Sequence, residues 1–283
     1  MPELPEIEVI RRTLAPLVEG RTLAVRGVGP HDMRARGEGR GAARKARAWM
    51  TRRELLDGAI VDRLERRGKR LAVVARDGRA LVVQLGMSGQ LLASADAGED
   101  HRHVTWSFAS RAPLLCFRDP RRFGGLTAYP DVRSMHAAWD AELGPDALTI
   151  RADDLVERLR GERAVKAALL DQTVLAGVGN IYADESLHLA GIDPRTRCDR
   201  IDGDRVSLLA RSIRTILERA VRTGGSTLRD YRSARGDSGG AQQLHAVYGR
   251  AGQPCLRCGA ALVGSRLAGR ATVRCPGCQR RKA

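Results

Sequence analysis

Four cysteines crowded into the last 29 residues constrain this chain more than anything else in it. They read Cys255-Leu-Arg-Cys258, then sixteen residues, then Cys275-Pro-Gly-Cys278. Each Cys-x2-Cys step turns two thiolates toward one point, and two such steps at this separation suit a tetrahedral four-thiolate zinc site on a β-hairpin. Four unconnected thiols account poorly for that spacing. The first residues lack a basic-then-apolar secretory pattern, so metal ligation is favoured over disulfides. Metal replaces a core too small to fold alone, which makes one structural Zn2+ the expected cofactor. The hairpin carries Arg266, Arg270 and Arg274, with Arg280, Arg281 and Lys282 beyond it, a charge pattern suited to phosphates. Arg270 follows Gly269, as a side chain projected from a hairpin tip would. Cys116 and Cys198 stand apart, and Cys116, within the apolar run Leu114–Phe117, reads as a small buried hydrophobe.

The whole chain shares the basic character. Lys and Arg number 49 against 33 Asp and Glu, a net charge of +16. Such an excess favours a polyanionic partner, because phosphate contacts release condensed counterions; an Arg-rich proteome would give the same excess. Apolar residues make up 43% of the 283, enough for a packed core, and aromatics only 4%, so aliphatic side chains must fill it. No stretch approaches the roughly 20 apolar residues of a membrane span. A cytoplasmic monomer is expected.

Along the chain, Ile7, Ile10, Leu14 and Leu17 recur at helical spacing and predict a helix over 5–18. Residues 31–56 turn Arg- and Gly-rich, first a basic loop and then a possible helix. Strand signals follow. Leu71–Ala75 and Ala80–Leu85 flank the turn Arg76-Asp-Gly-Arg79, with further candidates at His103–Phe108 and Leu114–Phe117. The first half therefore reads as two packed sheets. Helices are expected over 153–170, 180–190 and 204–222, a glycine turn lies at Leu175–Asn180, and a Gly/Ser-rich loop spans 224–243.

The ordered set Met1-Pro-Glu-Leu-Pro-Glu6, Arg67-Gly-Lys69, Leu85-Gly-Met-Ser-Gly89, Asp119-Pro-Arg-Arg-Phe-Gly124, Gly177-Val-Gly-Asn-Ile-Tyr182, Val247-Tyr-Gly-Arg250 and the four cysteines resembles formamidopyrimidine-DNA glycosylase over nearly the whole length. The resemblance implies an α+β protein: an N-terminal β-sandwich with flanking helices (1–140), a helical helix-two-turns-helix domain (145–240) and a β-hairpin zinc finger (245–283). It implies excision of oxidised purines from damaged double-stranded DNA, then strand cleavage at the abasic site.

Carried residue by residue, the resemblance makes Pro2 the nucleophile once Met1 is removed, since a proline terminus offers a secondary amine able to form an iminium ion. An α-amino group titrates near ~8, which leaves a useful neutral fraction. Glu3 handles protons, Lys69 serves β-elimination and Arg270 δ-elimination. Met87, Arg121 and Phe123 enter the gap left by the extruded nucleotide. His101, Arg121, Arg163, Lys166 and Asn180 contact phosphate or DNA. The bland readings stand beside these: Pro2 alone is unremarkable, a Lys in a basic run is usually solvated, Met87 could be core, and His101 could be a strand-end surface residue. Glu6 either orients the terminus or is a carboxylate favoured by the helix dipole.

Three departures from the family pattern stand out. The 31–56 connection is longer and more basic, Gln84 replaces a common His, and Gly239-Gly240-Ala241 occupy a lesion-loop position where aromatics are common. An endonuclease VIII-like enzyme typically has Gly where this chain has Leu4, so the purine branch is favoured. A non-catalytic DNA-binding protein would not need Pro2, Glu3 and Lys69 together.

Overall fold

The structure is a computed structural model that describes residues 2–31, 33, 50–94, 100–108, 114–227 and 231–280. Most of the basic 31–56 segment, with Arg281 and Lys282, lies outside the described residues. The longest described stretch of that segment, 50–56, forms turns rather than the expected helix, and buries Leu55 and Leu56.

The chain divides into two compact units, Met1–Trp139 with Gly224–Gly239, and Asp140–Thr223 with Gly240–Ala283. The first opens with α1 (Leu4–Val18), whose Ile7, Ile10, Leu14 and Val18 face inward at helical spacing. Two four-stranded antiparallel sheets follow. One has the order β1 (Ala24–Val28), β6 (Arg102–Ser107), β7 (Leu114–Arg118), β5 (Gln90–Ser94); the other has β2 (Val61–Arg67), β3 (Arg70–Ala75), β4 (Ala80–Gln84), β8 (Gly125–Tyr129). Alternate residues of both sheets meet in one core: Leu71, Val73, Leu81 and Val83 from the second, Leu91, Val104, Trp106, Leu115 and Phe117 from the first. Trp106 settles its one donor by giving its indole N–H to Leu55 O at 2.8 Å.

Chain connectivity fixes the end of this sandwich that matters. Gln84 pairs with Gly125 in one sheet and Gln90 pairs with Arg118 in the other. The connections 85–89 and 119–124 therefore both cross between sheets at the same end, side by side. Residues 224–239 join this unit because Glu6 binds Ser226 N and Ala93 N donates to Ala234 O.

The second unit holds α3 (Ala152–Arg158), α4 (Val165–Leu170), α5 (Asn180–Leu189), α6 (Gly203–Arg222) and the hairpin β9 (Val263–Leu267) and β10 (Arg270–Arg274). α2 (Val132–Glu142) precedes them. The single helix expected over 153–170 is split, and Gly161, at φ +79°, lies in the break. α6 starts where Asp202 accepts the Arg205 amide at 2.8 Å and buries Val206, Leu209, Ile213 and Leu217 along one stripe.

Candidate active site and metal centre

The first residues are held inside the first unit. Pro2, Glu3 and Glu6 are all buried. Glu6 Oε2 accepts from the Glu3 amide at 2.7 Å, and Oε1 accepts from the Ser226 amide at 2.7 Å. One carboxylate thus fixes the start of α1 and ties it to the 224–227 segment. Both readings of Glu6 hold at once, since it sits in the first turn of α1 and also orients the terminus. Gly225, at φ +79°, makes the approach possible: a Cβ there would press on Glu6 and Tyr231 at 3.1 Å. Burial and the adjacent Glu6 charge push the Tyr231 phenol well up, so it stays protonated. Sequence reasoning missed Ser226 and Tyr231. The Gly224-Gly225-Ser226 step after α6 was the available signal.

Lys69 lies in the tight turn between β2 and β3, after Gly68 at φ +56°. A chain of contacts joins this turn to α1. Arg66 Nε donates to Glu8 at 3.0 Å and its Nη1 to Gly68 O at 3.1 Å, while Arg11 and Arg12 reach the same Glu8 at 2.8 and 2.7 Å. Burial alone would raise the Glu8 pKa, but hydrogen bonds from the three guanidinium groups bring it down to about 2. The folded value lies below the unfolded one, so the stabilisation is complete above the unfolded pKa and disappears as pH falls toward 2. Glu8→Gln is accordingly expected to lose on the order of 2–3 kcal/mol at pH 7, with the gap to the parent closing between pH 5 and 2. Urea unfolding at several pH values measures this, and a gap independent of pH would refute the assignment.

Met87 and the pair Arg121 and Phe123 sit on the two adjacent sheet-crossing connections. The Met87 turn is closed by Gly89 N donating to Leu85 O at 2.8 Å. Gly86, at φ +60°, lies so close to the other loop that a Cβ would meet Phe123 C and O at 2.5 Å. Met87 is half-buried at the turn, Arg121 is exposed, and Phe123 leaves 58% of its surface in water. The Arg121 guanidinium lies 5.6 Å from the Phe123 ring centre. His101 is exposed at φ +63°, and its carbonyl accepts from Asp119 N at 3.1 Å.

In the second unit, Asn180 opens α5 after Gly179, and its Oδ1 is buried with no hydrogen-bond partner among the described residues. The unpartnered oxygen is an acceptor and does not itself serve a phosphate; it is the position at a helix start, where backbone N–H groups point outward, that suits one. Arg163 is exposed and pairs with Asp171 at 3.0 Å. Lys166 does not sit where a phosphate contact should. It is 0% exposed, paired with Asp184 at 2.6 Å, and donates to Ala271 O at 2.9 Å and Thr272 Oγ1 at 2.8 Å. Its ammonium ties α4 and α5 to β10. Glu185, also unforeseen, accepts the amides of Ala246, Val247 and Tyr248 at 2.8–2.9 Å and so holds the Val247–Arg250 motif.

Cys255, Cys258, Cys275 and Cys278 converge, their four Sγ atoms all within 4.8 Å of one another. The pairs Cys258–Cys275 and Cys255–Cys278 stand 3.3 and 3.9 Å apart. A tetrahedral ion with metal–sulfur bonds of about 2.3 Å sets sulfurs about 3.8 Å apart, so the donor set fits. Beyond the hairpin core, Leu267 pairs with Arg270 across a two-residue turn in which Ala268 and Gly269 both have positive φ, +48° and +74°. Arg270, exposed, leaves that turn as the first residue of β10.

Comparison with known proteins agrees with this organisation. Residues 1–126 match the formamidopyrimidine-DNA glycosylase N-terminal domain and residues 143–232 the formamidopyrimidine-DNA glycosylase H2TH domain. The formamidopyrimidine-DNA glycosylase of Thermomicrobium roseum is 41% identical over 99% of both chains, and that of Geobacillus kaustophilus is 41% identical over 99% of this chain and all of its own. A Lactococcus lactis Fpg variant solved with Fapy-dG containing DNA superposes with a TM-score of 0.85 at 32% identity, covering 99% of this chain and 100% of that one. The Thermus thermophilus MutM (Fpg) protein gives a TM-score of 0.80 at 36% identity over the full length of both. With two family domains matched in order and relatives aligned end to end, the chain belongs to the formamidopyrimidine-DNA glycosylase family of DNA-repair enzymes.

Proposed function

We propose that this protein is a bifunctional glycosylase and abasic-site lyase that removes oxidised purines, 8-oxoguanine and formamidopyrimidines, from duplex DNA and cuts the strand by β,δ-elimination. The observation that carries the reading is the buried Glu6 carboxylate, which clamps the Glu3 amide on one side and the Ser226 amide on the other. A clamp of this kind holds residue 2 at a fixed point, as a terminal nucleophile requires.

Once Met1 is removed, the Pro2 secondary amine attacks C1′ of the extruded nucleotide. Glu3, buried beside it, manages the proton as the base leaves and the sugar ring opens. The C1′ iminium ion withdraws electrons, so the C2′ proton is lost and the C3′–O bond breaks, with Lys69 as proton donor and phosphate contact. Arg270 serves the second elimination at C5′. Met87 and Phe123 wedge into the stack and Arg121 faces the unpaired cytosine, in keeping with apolar wedges in bent DNA. Asn180, Arg163 and His101 receive backbone phosphates. Zn2+, held by the four thiolates, supplies fold rather than chemistry.

Borohydride reduction tests the central step. The processed protein is expected to give a covalent adduct with duplex DNA containing 8-oxoguanine, and Pro2→Gly to weaken or abolish it. Mass spectrometry of the same sample checks that Met1 is gone. No adduct from correctly processed protein would favour the binding-only reading, and stronger trapping on thymine glycol than on 8-oxoguanine would favour the pyrimidine branch.

A further inference from the structure

Asp119 is 0% exposed and is assigned no part in the chemistry above, yet its carboxylate touches both connections that cross between the sheets. Oδ1 accepts from Ser88 Oγ at 2.5 Å and from the Arg121 amide at 3.2 Å, and Oδ2 accepts from the Gly124 amide at 2.7 Å. Ser88 follows Met87 directly. Arg121 and Gly124 bracket the Arg121–Phe123 stretch. The main chain of Asp119 is held as well: its carbonyl accepts from His103 Nε2 at 2.9 Å, and its amide donates to His101 O at 3.1 Å. Close backbone approaches add to the tie, since a Cβ on Gly124 would meet Gln84 O at 2.6 Å and Leu85 O at 2.9 Å.

We infer that Asp119, acting with Ser88, is the positioning residue that locks Met87, Arg121 and Phe123 into one wedge, so that the three enter a duplex as a unit. The inference rests on the reading of those three as inserted residues. Its physical basis is that two irregular loops have no regular ladder to fix their spacing. A buried carboxylate making charge-assisted bonds to donors on both loops supplies that spacing. Asparagine cannot replace it. In either orientation its Nδ2 amide group faces a backbone N–H, that of Arg121 or of Gly124, and one donor is left unsatisfied. Ser88→Ala is milder, cutting only the link to the Met87 turn.

The test compares single-turnover excision of 8-oxoguanine from two duplexes, one with the lesion paired to cytosine and one with it opposite a gap, where extrusion costs little. The full-length proteins are the parent, Ser88→Ala, Asp119→Asn and Met87→Ala, each checked for a cooperative thermal transition. Misplacing a wedge by an ångström can cost up to roughly a hundredfold. Ser88→Ala and Asp119→Asn are therefore expected to lose at least about tenfold more rate on the paired lesion than on the gapped one, as Met87→Ala does. A general loss of structure would lower both rates together, and that outcome, or rates equal to the parent on the paired lesion, overturns the positioning role. If Met87→Ala itself shows no selective loss, the insertion reading fails and the positioning role with it. Should Asp119→Asn lack a cooperative transition, Ser88→Ala alone decides.

Discussion

Stripping the metal, or replacing Cys275 by serine, is expected to unfold the C-terminal hairpin while the sandwich of the first unit stays folded. The hairpin cannot stand on apolar packing. Its core is Val247, Leu262 and Val273 around Cys255 and Cys275, and a lone two-stranded ribbon is marginal in water. Structural zinc in comparable modules contributes apparent binding free energies of about 10–16 kcal/mol at neutral pH, far above anything five small side chains can replace. Cys275 is fully buried and contributes to the donor set, so a hydroxyl there leaves a weaker fourth ligand. Because Arg270 begins β10, loss of the hairpin's order should also weaken binding to duplex DNA and, if Arg270 makes the proposed phosphate contact, make that binding less steeply dependent on salt. Hydrogen exchange on amides 263–274 with and without a chelator is the direct measurement. Protection that survives complete metal removal would show that the hairpin folds without the ion.

How much of this was readable beforehand varied with the range of the interactions. Cys255, Cys258, Cys275 and Cys278 were legible because ligand geometry imposes short fixed spacings on the sequence itself. α1 was legible because Ile7, Ile10 and Leu14 repeat with the helix. β2 was not: Val61–Arg67 reads as a charged run, and only Val61 and Leu64 are buried while Arg63 pairs outward with Asp62 and Glu65. α2 was missed for the same reason, with just Met135 and Trp139 facing inward. Lys166 was misplaced because every partner of its ammonium is distant in sequence, Asp184 by 18 residues and Thr272 by 106. The apolar neighbours Val165, Ala168 and Leu169 were the local hint that its side chain lies inside. Asp119 and Ser88 were visible only as members of two separate motifs, and their link was not legible because they meet only after two sheets have closed on each other.

Lys166→Met should destabilise the second unit by about 3–5 kcal/mol at pH 8, because it leaves Asp184 as a buried charge without its partner. Even in the intact pair, burial outweighs the attraction of Lys166 and lifts the Asp184 pKa to about 6. A carboxyl whose folded pKa exceeds its unfolded one costs stability when ionised, so its penalty is full above the folded value and is relieved as pH falls through it. Removing Lys166 raises that pKa further. The deficit of Lys166→Met is therefore expected to be largest in alkali and to narrow on acidification, as Asp184 takes up a proton and becomes a neutral acid. Adding Asp184→Asn to Lys166→Met removes both charges yet keeps an oxygen for the Val273 amide, which Asp184 Oδ2 now accepts at 3.0 Å. The double variant should recover most of the loss, whereas Asp184→Leu would strand that amide at a cost of about 1–3 kcal/mol. Strong coupling in the double-mutant cycle is the signature of a true pair, and effects that simply add would refute it. The function should follow the stability. Lys166 holds Ala271 O and Thr272 Oγ1, and Thr272 Oγ1 in turn donates to Arg270 O at 3.2 Å, so the backbone of the hairpin arginine is anchored through this buried ammonium.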